Sequence, residues 1–234
     1  MRRFLKFFLP VLVIVIVGGG FAVYWYVVRS DAEPKATITA TKVTPGGSLD
    51  GTWTLSSGDG RSFVGYRVQE QFAAATIEST ATGRTSDVTG TIRVAGTTVD
   101  GVSVTANLTT LKSDKDRRDQ TIKSRGLQTN TFPEATFTQT APVTLPRVPG
   151  RGETIDVPVS GDLTLHGVTK RVTVPAQGRW DRRSVQVVAH VPILFSDYQI
   201  EAPSIGGFVS VRDRGELELQ LFFERGSAPS TPSS

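Results

Sequence analysis

The sequence predicts an all-β fold: an antiparallel β-barrel of about eight strands with one short helix, preceded by one N-terminal transmembrane helix. Three observations carry this reading. Long stretches alternate apolar and polar residues with a period of two. Only one segment beyond the N-terminal region has a helical start signal. Phe7 to Val28 form 22 consecutive positions without a charge.

The apolar run comes first in the chain. At ~1.5 Å rise per residue it reaches ~33 Å as a helix, against a hydrocarbon core of ~30 Å. Arg2, Arg3 and Lys6 precede it, and Arg29 is followed by Asp31 and Glu33. That bias predicts residues 1–6 in the cytoplasm and everything from about residue 29 outside, the chain being a single-pass protein of the cell membrane. A cleaved secretory signal has the same layout. Against cleavage, the run is longer than a usual signal core. The small residues Gly18 to Gly20 and Ala22 also lead into Tyr24, Trp25 and Tyr26, which suit the interfacial belt of a retained helix. Retention is therefore the expectation.

Residues 29–50, with Pro34, Pro45, Gly46 and Gly47 and little large apolar content, read as an extracytoplasmic linker. Residues 226–234 (GSAPSTPSS) read as a disordered tail. Residues 51–225 between them form the predicted barrel domain. Val102, Val104, Ala106 and Leu108 share one face, and Ile155, Val157, Val159, Gly161, Leu163 and Leu165 another. Val185 to Ile193 and Leu217 to Phe223 alternate in the same way. Further strands are expected near 62–72, 74–80, 87–94, 135–141, 168–180 and 207–213. Ser113 with Asp116 three residues on resembles a capping pair for a short helix to about Lys123. Strands with one wet face must hide the other face and their edges. A closed barrel does both; a two-sheet sandwich fits the periodicity equally well.

Composition narrows function. The chain has 234 residues, 26 basic and 22 acidic, and a basic pI near 9.6. Four of the basic residues lie within residues 1–30, which contain no acid, so the remainder balances at 22 and 22. The pI thus reports membrane orientation, and no nucleic-acid partner is expected. Without cysteine there is neither disulfide support nor a lipid-modified N-terminal cysteine. His166 and His190 are the only histidines, one at a strand end and one on an outward strand position, and surface or turn roles suit both. No nucleophile elbow, phosphate loop or metal-ligand spacing is present, so no enzyme, catalytic residue, metal ligand or cofactor is expected. The mixed charges from Asp114 to Asp119 read as a solvated helix face, with a polar lid at a barrel mouth as the alternative. Asn107-Leu108-Thr109 matches a glycosylation acceptor pattern weakly. A barrel of this size is either filled by side chains or holds one small ligand.

The run Gly161-Asp162-Leu163-Thr164-Leu165-His166-Gly167-Val168-Thr169-Lys170 resembles the signature strand-turn-strand of the YceI-like family. Arg118-Asp119 followed by Pro133-Glu134-Ala135-Thr136-Phe137 resembles another of its segments. Phe195-Ser196-Asp197-Tyr198, and Val209 to Asp213 leading to Leu221, resemble its closing strands. Ser62 to Glu70 is similar to the opening of an actinobacterial-type subgroup. The likeness covers about residues 52–224 in order. It implies a lipocalin-like barrel whose apolar cavity binds a polyisoprenoid, such as an isoprenoid quinone or polyprenyl lipid, without catalysis. The wider family often has His at Glu70, Arg at Phe195 and Gly at Gln199. The first two departures remove polar groups that would face a ligand head group. Expected cavity-lining residues are Val104, Leu108, Phe137, Leu163, Leu165, Ile193, Phe195, Tyr198 and Phe208. The rival reading is a filled-core envelope protein acting through its surface, as an adaptor or stress-related component.

Overall fold

The computed structural model describes residues 31–40, 43, 47–55, 60–72, 77–202, 204–205 and 209–225. The predicted membrane helix, the C-terminal tail and Phe208 lie outside the described residues.

Among the described residues, fourteen strands form one antiparallel sheet. They are β1 (Gly51–Leu55), β2 (Phe63–Phe72), β3 (Ile77–Thr85), β4 (Val88–Ala95), β5 (Thr98–Asn107), β6 (Lys112–Ser113) and β7 (Glu134–Gln139). They continue with β8 (Val143–Thr144), β9 (Thr154–Leu165), β10 (Val168–Trp180), β11 (Ser184–Ile193), β12 (Ser204–Ile205), β13 (Val209–Val211) and β14 (Gly215–Arg225). Several are pieces of one lane. β14 pairs with β1 through Trp53↔Arg225 and with β2 through Arg67↔Glu216. β2 in turn pairs with β3, and β1 with β4. The lanes β1/β2, β3/β4, β5/β6, β7/β8, β9, β10, β11 and β13/β14 thus close into an eight-lane barrel. β14 has neighbours on both sides, β11 and β1/β2, and this closure rules out the sandwich.

The alternating faces sort as expected. Trp53, Leu221 and Phe223 are almost wholly buried inside. One interior cluster gathers Trp53, Ile92, Val94, Val99, Trp180, Val185 and Phe223; a second gathers Leu108, Leu163, Leu165, Val191, Ile193, Phe195 and Ile200. Phe137, Val187 and Leu219 touch both. At the first end, Trp53 Nε1 donates to Leu49 O and Trp180 Nε1 to Pro149 O, both at 2.9 Å, sealing the floor. At the other end lie the β9–β10 turn at His166 and Gly167, the single-turn 3-10 segment Ser196–Tyr198, and a short helix, α1 (Asp116–Thr121).

One sequence expectation needs correction here. Ser113 does not cap α1. Lys115 occupies that position, without a side-chain cap, and Ser113 sits in β6 with its amide and hydroxyl donating to Asp119 Oδ1 at 2.9 and 2.7 Å. Residues 31–40, read as part of an extracytoplasmic linker, run as an extended strap down the outer wall. Glu33 N donates to Thr82 Oγ1 at 2.9 Å, Thr39 N to Gln186 Oε1 at 2.9 Å, and Ala36 N to Glu218 Oε1. Arg67 Nη2 donates to Glu33 O at 2.6 Å, and Arg84 to Pro34 O. Beneath the strap, Ala36 and Ile38 pack with Phe63 and Val188 in a small second core outside the barrel. The strap's backbone has no strand of its own, so barrel side chains satisfy it.

Candidate functional site: an apolar cavity under a helical cap

A cavity of about 250 Å³ runs through the barrel, lined almost wholly by apolar groups. It extends from Leu49, Pro149 and Trp180 at the sealed floor to Phe195, Ile200 and Val211 at the other end. The interior is therefore not filled. Small and β-branched residues on the inner face leave this room: Val104, Ala106, Val157, Val159, Ala176 and Gly178 all line it. An apolar void of ~150 Å³ already accepts a benzene-sized guest and stays dry without one.

Of the nine expected lining residues, Val104, Leu108, Phe137, Leu163, Leu165, Ile193 and Phe195 border the cavity. Tyr198 is buried in the adjoining apolar cluster behind the lining, and Phe208 lies outside the described residues. Alternation missed Trp180, which enters at the end of β10, and Ile122, Gly126 and Leu127, which come from the cap.

The cap is α1 extended by the wider turn Ile122–Gly126, closed by Leu127 N donating to Ile122 O at 2.8 Å. Ile122, Gly126 and Leu127 face the cavity and close it at this end. What holds the cap is the charge cluster that reads as a solvated face. Arg118 turns inward and is buried, with Nε 2.9 Å from Glu70 Oε1 and Nη2 3.0 Å from Glu70 Oε2, and Nη1 bonded to Asp114. Glu70 is buried on the inner face of β2, two residues beyond Val68 and four beyond Tyr66. The Glu70 carboxylate therefore anchors the cap through a bidentate pair. Burial alone would lower the Arg118 guanidinium and raise the Asp114 carboxyl. The Glu70 and Asp114 carboxylates hold Arg118 above its ordinary value, and Arg118 with the Asp31 amide holds Asp114 below its own.

Buried polar groups gather at the capped end. The Tyr66 ring lies over Gly83, and its hydroxyl sits beside Ser113 without a well-aligned hydrogen bond. Burial pushes this phenol well up. Thr129 Oγ1 and His166 Nε2 are also buried without a partner among the described residues. His166 is not a surface histidine. It takes φ +52° in the turn, tilts over Phe132 at 4.4 Å, and places Nδ1 3.1 Å from Tyr198 O. Gln199 takes φ +54°, a left-handed conformation that glycine adopts without a Cβ penalty. His190 lies outside, its ring nitrogens 3.1 Å from Glu216 Oε1 and 3.0 Å from Ala36 O. Asn107 Nδ2 donates to Asp87 Oδ2 at 2.7 Å, and Asn107 Oδ1 accepts from Thr109, so this side chain is already engaged.

Comparison with known proteins agrees with this architecture. The model of the YceI-like domain family matches residues 53–223. Protein YceI of Shigella flexneri is 30% identical over 142 residues, covering 60% of this chain and 69% of the relative. Protein YceI of Salmonella newport is 29% identical over the same length. Among solved structures, a polyisoprenoid binding domain from Saccharophagus degradans superposes with TM-score 0.57 at 20% identity, covering 74% of this chain and 98% of that one. Burkholderia cenocepacia BcnA superposes with TM-score 0.55 at 16% identity, covering 71% and 99%. At these identities the two structures speak for the fold alone.

Proposed function

The chain belongs to the YceI-like domain family, and from that premise we propose that it is a membrane-anchored extracytoplasmic barrel that binds or carries an isoprenoid lipid, such as a quinone or polyprenyl lipid. The observation that carries the reading is the apolar cavity of about 250 Å³ beneath a cap. A flexible hydrocarbon chain suits such a space, since each buried CH₂ contributes ~0.8 kcal/mol. The distribution of polar groups supports a direction for the ligand. Tyr66, with a buried hydroxyl that lacks a well-aligned hydrogen bond, lines the cavity at the capped end, and Trp180, Leu145 and Val99 line the other. A polar head group belongs at the cap and the isoprenoid tail toward the floor. The uncharged run 7–28 supplies the anchor in this reading, and a binding role without catalysis is part of it.

The test is solvent extraction and mass spectrometry of the purified protein from native membranes. A stoichiometric prenyl lipid is expected. If no lipid co-purifies and added prenyl lipids never raise the melting temperature of the delipidated protein, the carrier reading gives way to a surface-acting envelope protein.

A further inference from the structure

We propose that the barrel sits on the bilayer with its capped end against the lipid headgroups, so that the cap and the cavity beneath it face the membrane surface. This rests on the reading that residues 7–28 are a retained anchor. The strap carries the argument. Asp31 N donates to Asp114 Oδ2 at 3.0 Å, beside the Arg118–Glu70 pair that holds the cap. From there the strap descends the wall, past Ala36 at Glu218, to Thr39, whose carbonyl accepts from Arg179 Nη1 at 2.5 Å near the sealed floor. The chain thus enters the domain at the capped end.

Val28 ends the apolar run three residues before Asp31. Three residues of extended chain span at most about 11 Å. The opposite end is much farther away. β9 has 12 residues; at ~3.3 Å each and a tilt of ~40° it spans about 30 Å along the barrel axis. With the strap docked, only the capped end is within reach of the membrane. A free linker over the same residues would allow any orientation. Charge does not choose between the ends, because both carry exposed basic residues: Lys112, Arg117 and Arg125 on one, Arg151, Arg182 and Arg183 on the other. The path of the chain does. Leu194, half exposed beside Phe195 at the capped end, would then meet the lipid interface.

The chain has no cysteine, so single labels are clean. The full-length protein would carry a bimane on Leu194→Cys or Arg125→Cys at the capped end, or on Val148→Cys or Arg182→Cys at the other. It would be reconstituted in phosphatidylcholine–phosphatidylglycerol vesicles containing a headgroup nitroxide lipid. Quenching several-fold greater at positions 194 and 125 than at 148 and 182 is expected. Equal or reversed quenching in vesicle-bound protein overturns the orientation while leaving the anchor intact. Failure of the chain to float with vesicles after a carbonate wash overturns the anchor reading, and this proposal with it. A Gly-Ser insert between Ser30 and Asp31 should erase the difference; its persistence would overturn the strap as the cause.

Discussion

Gly161 shows how one residue shapes the cavity. Phe137 pairs across the sheet near it, and a Cβ at position 161 would stand 2.4 Å from Phe137 Cζ and 2.6 Å from Thr138 O. The missing side chain lets the phenyl ring lie against the wall rather than across the cavity. Gly161→Ala should therefore push Phe137 inward, costing ~1–3 kcal/mol as overpacking does, and weaken prenyl-lipid uptake. Val104→Trp has the opposite signature. Val104 borders open space, so the delipidated variant should melt close to the parent while losing its ligand. Leu163→Ala in the same wall should cost less than the ~2–5 kcal/mol of a packed core. Thermal melts of delipidated protein, with and without a prenyl lipid, check all three. A Val104→Trp variant that melts far below the parent would mean that the space is not usable.

Two elements decide what the barrel can do: the cap and the strap. The cap depends on a buried ion pair, with the Arg118 and Glu70 side chains 8% and 10% exposed. Removing one partner strands the other, so Arg118→Met should cost about 3 kcal/mol, and Arg118→Met with Glu70→Leu should recover much of it. Urea titrations of the two variants measure this; if the double variant is no better than the single, the pair is not the fastening. The strap makes a different prediction. The Glu33, Ala36 and Thr39 amides donate to Thr82, Glu218 and Gln186. They should exchange with deuterium far more slowly than a free linker, as hydrogen-exchange mass spectrometry can show. Acid should loosen both elements. Burial would raise the Asp114 and Glu216 carboxyls, but Arg118 with Asp31, and Lys35 with His190, hold them below their ordinary values of 3.8 and 4.5. Depressed carboxylates contribute stability that is fully present above those ordinary values and lost as pH falls through the lower folded ones. The melting temperature should therefore drop below about pH 4.5, and Asp114→Asn with Glu216→Gln should flatten that drop.

At the scale of the molecule, closure unites the lanes. β14 meets β11 on one side and β1 and β2 on the other, so the last strand locks the first. The two interior clusters share Phe137, Val187 and Leu219. The barrel should accordingly unfold as one unit, with far-ultraviolet dichroism and the fluorescence of Trp53 and Trp180 giving coincident urea transitions. Separate transitions would mean that the two ends are independent.

Alternation of side chains was enough to read the strands, their inner faces and most of the cavity wall. Strand periodicity is local, and each residue from Val102 to Leu108 or from Ile155 to Leu165 declares its face through its neighbours. The uncharged run 7–28 and the charge balance were also legible in the sequence. What only the tertiary structure decided depends on partners distant in sequence. Glu218 sits on an outward face between Leu217 and Leu219, yet it is wholly buried because residues 33–36 cross over it, with Arg67 at 3.5 Å and Arg84 at 3.3 Å. Arg118 looked solvated among alternating charges until β2 brought Glu70 to it across 48 positions. The strap carries no periodicity because side chains of the wall, rather than a strand neighbour, satisfy its backbone. Closure over the sandwich, an open cavity over a filled core, and a docked strap over a loose linker are long-range packing outcomes. The same alternating pattern is compatible with either member of the first two pairs, and the linker's composition did not reveal the third.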